Sequence, residues 1–247
     1  MADNKGLHPA DRIIKFLERR PFSIFPPYVW VTLAVMILIQ FSIYFLTKFP
    51  VSLMTLHDLM TPFDRRIPFI PGWIIIYILS YLSWGISLIW IVAESKPHGY
   101  RFACSYILCL IISCVIFLAY PGTLERPEPE GSGFIMFLVR VIYWFDSPTN
   151  LCPSLHVLIS YFCWRGTFGC RKIPVWYKVF NFVFLILVCF SILFVKQHVV
   201  LDIIVAIPVG ELSLQICRLF RAERIFMAAE KRLNEKKECE TDAGCEQ

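Results

Sequence analysis

Two histidines and an aspartate carry the most chemistry in this 247-residue sequence. His198 and Asp202 are spaced i, i+4, so on a helix they share one face. A carboxylate in that place accepts a hydrogen bond from one imidazole nitrogen. It fixes the tautomer and leaves the other nitrogen as a nucleophile. His156, in the run Pro153-Ser154-Leu155-His156, is free to act as a proton donor. Arg126, followed by Pro127, offers a rigid fork of donors suited to phosphate oxygens. Lys196 adds a point charge two residues before His198. Ser154 adds a hydroxyl and, at a helix start, backbone N–H groups aimed at an anion. A nucleophilic imidazole, a second imidazole for the leaving group and a cationic cradle together describe phosphoryl transfer.

The elements that must hold these residues are membrane helices. The chain is 57% hydrophobic and 17% charged, with a mean hydropathy of +0.61. A soluble domain has about 45–50% apolar and about 25% charged residues. This composition excludes disorder, a coiled coil and a small disulfide scaffold, and points away from a soluble enzyme. The apolar residues come in long blocks: 28–47, 72–93, 104–120, 155–168, 179–195 and about 199–217. Each reads as a span. The first is twenty residues without a charge, too long for a signal peptide. The fourth is the shortest. A helix begun at Pro153 reaches about 24 Å by Phe168, with Arg165 snorkelling to the interface.

Six spans place both termini on one side of the bilayer. Of the 24 basic residues, only Lys48, Arg65, Arg66, Arg126, Arg140 and Lys196 fall on the other side. The positive-inside rule therefore puts both termini in the cytoplasm. The net charge of +5 is explained by orientation and gives no case for nucleic acid. The expected fold is an all-α, six-helix polytopic membrane bundle over residues 28–219. A cytoplasmic or interfacial segment, 1–27, precedes it, with an interfacial helix over 11–20. A cytoplasmic tail, 220–247, follows, with a polar helix over 221–237 and a disordered acidic end over 238–247.

Under that topology, Arg126, the Pro153–His156 run and the Lys196–Asp202 run all lie on the outer side. His156 and His198 are 42 residues apart, which fits one descent and one return across the bilayer. Ionisable groups at such depth are costly and usually functional.

These motifs resemble those of the type 2 phosphatidic acid phosphatase superfamily, which contains lipid phosphate phosphatases, polyprenyl diphosphate phosphatases and lipid phosphotransferases. The family pattern is K-x6-R-P, then P-S-x-H, then S-R-x5-H-x3-D. Here the first reads Ala119, six residues, Arg126-Pro127. The second is Pro153-Ser154-Leu155-His156. The third reads Ser191-Ile192, five residues, His198, three residues, Asp202. Ala119 and Ile192 thus stand where the family has a lysine and an arginine. The resemblance covers about residues 60–215. It implies His198 as the nucleophile that becomes phosphohistidine and Asp202 as its orienting partner. His156 would protonate the lipid leaving group and then activate water. Arg126 and Ser154 would bind phosphate oxygens, with Lys196 standing in for a missing cation. It further implies chemistry without a metal or cofactor. The stretch Asp146-Ser147-Pro148 through His156, with Lys196-Gln197-His198, is similar to the branch that includes inositol phosphotransferases of sphingolipid synthesis.

Plainer roles exist for the same residues. Arg126 can serve as an interfacial anchor, Lys196 can snorkel, and Ser154 can be a helix N-cap. Glu211 reads as a bundle-interior residue too far from His198 for its chemistry. Arg65 and Arg66 read as surface anchors, and Asp146 and Asn150 as shapers of the turn into the fourth span. Trp84, Tyr143 and Trp144 read as interface and core packing. None of the ten cysteines forms a C-x-x-C pair, so they act as small hydrophobes. The expected activity is a membrane phosphatase for a lipid phosphate or polyprenyl diphosphate. Its active site faces away from the cytoplasm, and the short hydrophilic loops lean toward a bacterial plasma membrane. A lipid phosphotransferase using the same intermediate is the alternative, and a non-catalytic lipid-binding membrane protein is the third reading.

Overall fold

The computed structural model describes residues 22–232 and residue 235. The expected interfacial helix over 11–20 and the acidic end over 238–247 lie outside the described residues. Eight helices follow a short 3-10 turn at Phe22–Ile24: α1 (Pro27–Ser52), α2 (Pro62–Arg66), α3 (Ile74–Val92), α4 (Lys96–Ala119), α5 (Phe134–Phe145), α6 (Leu155–Arg165), α7 (Val175–Phe194) and α8 (Val200–Leu219). Residues 223–232 are helical as well. The fold is nearly all helix. Among the described residues the one pairing of strands is β1 (His57–Asp58) with β2 (Gly122–Thr123).

Local sequence explains most helix starts. Proline sits in the first turn of α1, α2 and α4, where its missing N–H costs nothing. Ser95 caps α4 and Ser154 caps α6 through their side-chain oxygens. Among the described residues, five helices are long and apolar enough to cross a membrane: α1, α3 with its leading turn from Pro71, α4, α7 and α8. Their outward faces carry large apolar side chains such as Leu38, Phe45, Leu82, Val115 and Ile204, all exposed. A surface of that kind is what a bilayer covers. The chain is a multi-pass membrane protein.

Helix α6 is the exception. It spans 11 residues, about 16 Å, and stops at Arg165 rather than running on to Phe168. Residues 156–163 are all buried, because α6 packs against α3, α7 and α8 at once. Just beyond its end, Gly166 meets the first turn of α4, with its carbonyl 3.0 Å from His98 Nε2. A Cβ at Gly166 would lie 2.5 Å from the Phe102 ring and 2.7 Å from the Phe162 carbonyl oxygen, so the crossing needs glycine there. Arg165 does not snorkel. It forms a two-pronged pair with Glu211 of α8, at 2.8 and 2.9 Å. Tyr161 and Gln215 bond the same carboxylate. Glu211 is thus a tie between α6 and α8.

Helix α5 is an element the apolar blocks do not predict. Its 12 residues are too few to cross. Phe134, Phe137, Trp144 and Phe145 are exposed, while Val139 is fully buried. That arrangement suits a helix lying against the bundle end.

The strand pair matters because it ties the loop after α1 to the loop after α4. His57 N–H donates to Pro121 and Leu59 N–H to Thr123. Gly122 permits the approach, since a Cβ there would fall 2.3 Å from the Leu59 side chain. Leu59 joins Leu124, Leu151, Cys152 and Val199 in a small apolar cluster. This cluster underlies the three segments that carry Arg126, Ser154 and His198.

Candidate active site

The first residues of α6 and α8 lie at one end of the bundle, where α4 and α7 finish and α3 begins. His156 is the second residue of α6 and His198 lies just before α8. Their ring centroids are 5.7 Å apart with the planes inclined at 59°. His198 Nδ1 is 2.9 Å from Asp202 Oδ2, which also accepts the Val199 N–H at 3.1 Å. Asp202 engages Nδ1 and leaves Nε2 as the ring nitrogen free of it. Asp202 is wholly buried, and its Oδ1 has no hydrogen-bond partner among the described residues. The carboxylate is therefore spent on orienting one ring and one backbone turn.

His156 is held from another side. Tyr77, Tyr81 and Trp84 share one face of α3, and their rings lie 4.4, 5.8 and 5.4 Å from the His156 ring. Tyr81 Oη is 3.2 Å from His156 Nε2. That contact leaves His156 Nδ1 as the nitrogen available for proton transfer. Trp84 Nε1–H is taken up by Ser160 at 2.9 Å, so the cage is fixed to α6 by more than stacking.

Arg126 reaches the histidines across the loop. One Nη donates to the Asp146 backbone carbonyl at 2.5 Å, and the other donates to the Gln197 side-chain oxygen. The guanidinium stacks 4.8 Å above the Tyr143 ring. Asp146 in turn accepts from Tyr44 and Tyr77 hydroxyls, each at 3.1 Å. Burial pushes the Arg126 guanidinium below its ordinary value, while the Asp146 charge opposes that shift. Two buried donors here have no partner among the described residues, Arg126 Nε and Gln197 Nε2. Such orphans are costly unless something accepts from them. Arg126, Gln197, His156 and His198 line a common cavity of about 40 Å³, with room for a few waters. Asp146, Ser147, Thr149 and Asn150 form its polar rim.

Not every expected residue reaches the cavity. Ser154 is fully buried, and its hydroxyl accepts the Val157 N–H at 3.4 Å. It also holds α6 to α8 through its N–H on the Asp202 carbonyl, at 3.3 Å. Its observed role is the N-cap. The Lys196 ammonium turns away, donating to the Asp64 carbonyl at 2.9 Å. Burial pushes that ammonium below its ordinary value, against the pull of Asp64. Lys196 has a positive φ of 52°, and this reversal aims its neighbour Gln197 into the cavity. Ile192 is packed in the apolar core.

Sequence reading passed over Gln197, Tyr77, Tyr81 and Asp64. The signal for the tyrosines was present as 77, 81 and 84, one helical stripe of aromatics carrying two hydroxyls. Asp64 sits among exposed arginines in the sequence, yet it is buried. Its carboxylate accepts from Thr61 N–H at 2.9 Å, Thr61 Oγ1 at 2.5 Å and Val200 N–H at 2.9 Å. It closes a capping box on α2 and docks α2 onto the start of α8. Among the described residues, no group of three or more His, Cys, Asp or Glu side chains is placed to hold a metal ion. Comparison with protein-family models, with curated proteins and with solved structures finds no match.

Proposed function

We propose that the chain is a membrane phosphatase of the type 2 phosphatidic acid phosphatase kind, acting on a lipid phosphate or polyprenyl diphosphate. His198 Nε2 attacks the terminal phosphorus, its bond to the leaving oxygen (the lipid oxygen of a monophosphate or the bridging oxygen of a diphosphate) breaks, and His156 gives a proton to that oxygen. Water then attacks the phosphohistidine. His156 takes the water's proton, and phosphate leaves with His198 restored. Arg126 and the Gln197 amide hold the non-bridging oxygens and meet the charge that builds in the transition state. The reaction calls on no metal.

The observation that carries this reading is the joint placement of His156 and His198, 5.7 Å between centroids, over a cavity with two unpartnered buried donors. The test is free phosphate released by purified protein in excess chelator from phosphatidate, polyprenyl diphosphate and phosphoinositide. Release from at least one of them that disappears in His198→Ala supports the reading. Equal release by that variant refutes the assigned nucleophile.

Phosphoryl transfer to an alcohol is the second reading. The rim of Asp146, Ser147, Thr149 and Asn150 favours it, since such groups suit the hydroxyls of a polyol. Product analysis with and without added inositol separates transfer from hydrolysis.

We further infer six crossings with both termini in the cytoplasm and the histidine site on the far side. The distribution of lysine and arginine supports this orientation. Helix α6 makes the fourth crossing with less than a full span of helix. Its flanking backbone is sheltered by α3, α7 and α8, which is the condition under which irregular backbone is tolerated at membrane depth.

A further inference from the structure

The opposite end of the bundle holds a larger cavity, about 450 Å³, a size typical of small-molecule pockets, about 300–1,000 Å³. It lies between the first turns of α4, the end of α6 and the last turns of α8. Arg101, Arg165 and Arg218, one from each helix, line it. Behind them stand two carboxylates. Glu211 takes up Arg165 through both oxygens. Glu223 binds Arg101 only at Nε, at 3.1 Å, which leaves the Arg101 Nη pair unpartnered among the described residues. Arg218 is exposed and has no partner among them either. The basin is therefore net positive, with unused guanidinium donors on two sides.

Orientation by positive charge needs basic residues near this end, but it does not need three helices to converge them on one concavity. Phe102, Phe168 and Leu214 supply apolar wall between the arginines, and His98, Ser105 and Gln215 add polar groups. Arg165 lies 4.8 Å above the Phe168 ring. Cationic donors beside apolar walls suit an amphiphile better than a free ion. Basic pockets between membrane helices at this level bind anionic headgroups.

We propose that this basin binds the phosphate headgroup of an anionic phospholipid, from the leaflet opposite the histidine site. Arg101 and Arg218 bind the phosphate oxygens, and the apolar walls cover the glycerol and the first carbons of the chains. The inference is independent of the catalytic reading.

The test is a melting series on the purified full chain in neutral detergent. Short-chain phosphatidylglycerol, short-chain phosphatidylcholine and inorganic phosphate are titrated in parallel. Binding to the folded state raises the melting midpoint, with a stabilisation that grows as the logarithm of ligand concentration above Kd. Phosphatidylglycerol is expected to raise it by several degrees. Phosphatidylcholine and inorganic phosphate at the same concentration should leave it unmoved. Arg218→Gln should lose at least half of the shift, and Arg101→Gln/Arg218→Gln all of it. Arg171→Gln, an exposed basic residue outside the basin, should keep the shift, as should His198→Ala. An undiminished shift in the double variant overturns the proposal. So does an equal response to phosphatidylcholine, which means micelle effects, or to inorganic phosphate, which means a soluble anion. Arg218 is exposed, so Arg218→Gln reports on binding even if the double variant folds poorly.

Discussion

His156 and His198 face each other with ring centroids 5.7 Å apart, although 42 residues and one full antiparallel helix separate them. Each is locked by a different partner. His198 is tied to the buried Asp202 carboxylate, and His156 to the Tyr81 hydroxyl inside an aromatic cage. The two rings are thus held in unlike surroundings, one beside a negative charge and one against aromatic faces. Unlike surroundings are how a pair of similar groups is divided into nucleophile and acid.

Asp202→Asn tests the orienting role. The amide can still accept from Val199 N–H, so the helix start survives. An amide that instead turns its NH₂ toward His198 favours the wrong tautomer. Turnover should fall by about 10⁴, the scale known for such orienting carboxylates, with KM little changed. Steady-state kinetics on the best lipid substrate measures this.

Tyr81→Phe separates leaving-group chemistry from attack. Removing the hydroxyl frees His156 Nε2 and loosens the acid. The rate on a lipid phosphate, whose alkoxide needs a proton, should drop about tenfold or more. The rate on an aryl phosphate with a good leaving group should hardly change. Equal losses on both would mean that Tyr81 only packs.

Gln197→Glu keeps the shape but replaces the orphan donor with a second carboxylate oxygen beside Arg126. A charged hydrogen bond is worth about 1.5–3 kcal/mol, so kcat/KM should fall roughly 10- to 100-fold. Arg126→Lys should show a similar loss, because a single ammonium cannot reproduce the fork.

Asp64→Asn addresses the support of the site. Burial alone would raise the Asp64 carboxyl, but hydrogen bonds from Thr61 and Val200, with the nearby Lys196 charge, outweigh it and hold the group below its ordinary value. A carboxyl lowered on folding stabilises the fold above its unfolded value, about 3.9, and that stability is lost as pH falls through the folded value. The native melting midpoint should therefore decline below about pH 4. The variant should be less stable at neutral pH by about 1–3 kcal/mol, with a lower midpoint and a weaker acid decline.

Several parts of this molecule were legible in the sequence for plain reasons. Long uncharged blocks must be membrane helices, and the i, i+4 spacing of His198 and Asp202 needs only a helix to become a contact. Helix α5 was hidden because Arg140 interrupts a 12-residue apolar stretch too short to register as a span. The end of α6 was misplaced because hydrophobicity continues to Phe168, while the close approach of α4 at Gly166 stops the helix. Lys196 illustrates a deeper limit. Its charge and proximity to His198 suggest a phosphate ligand, but one residue with positive φ sends its side chain to Asp64 and delivers Gln197 to the cavity instead. A sequence does not display that reversal, nor does it show that Asp64 is buried among exposed neighbours.

The central claim is a covalent phosphate on one imidazole. The protein is incubated with its best radiolabelled lipid phosphate and quenched in alkali, where phosphohistidine survives, and the label is mapped by peptide mass. Acid-labile label is expected on His198, absent in His198→Ala and accumulating in His156→Ala given an activated leaving group. Turnover with no trapped label, or label on another residue that persists in His198→Ala, would contradict it.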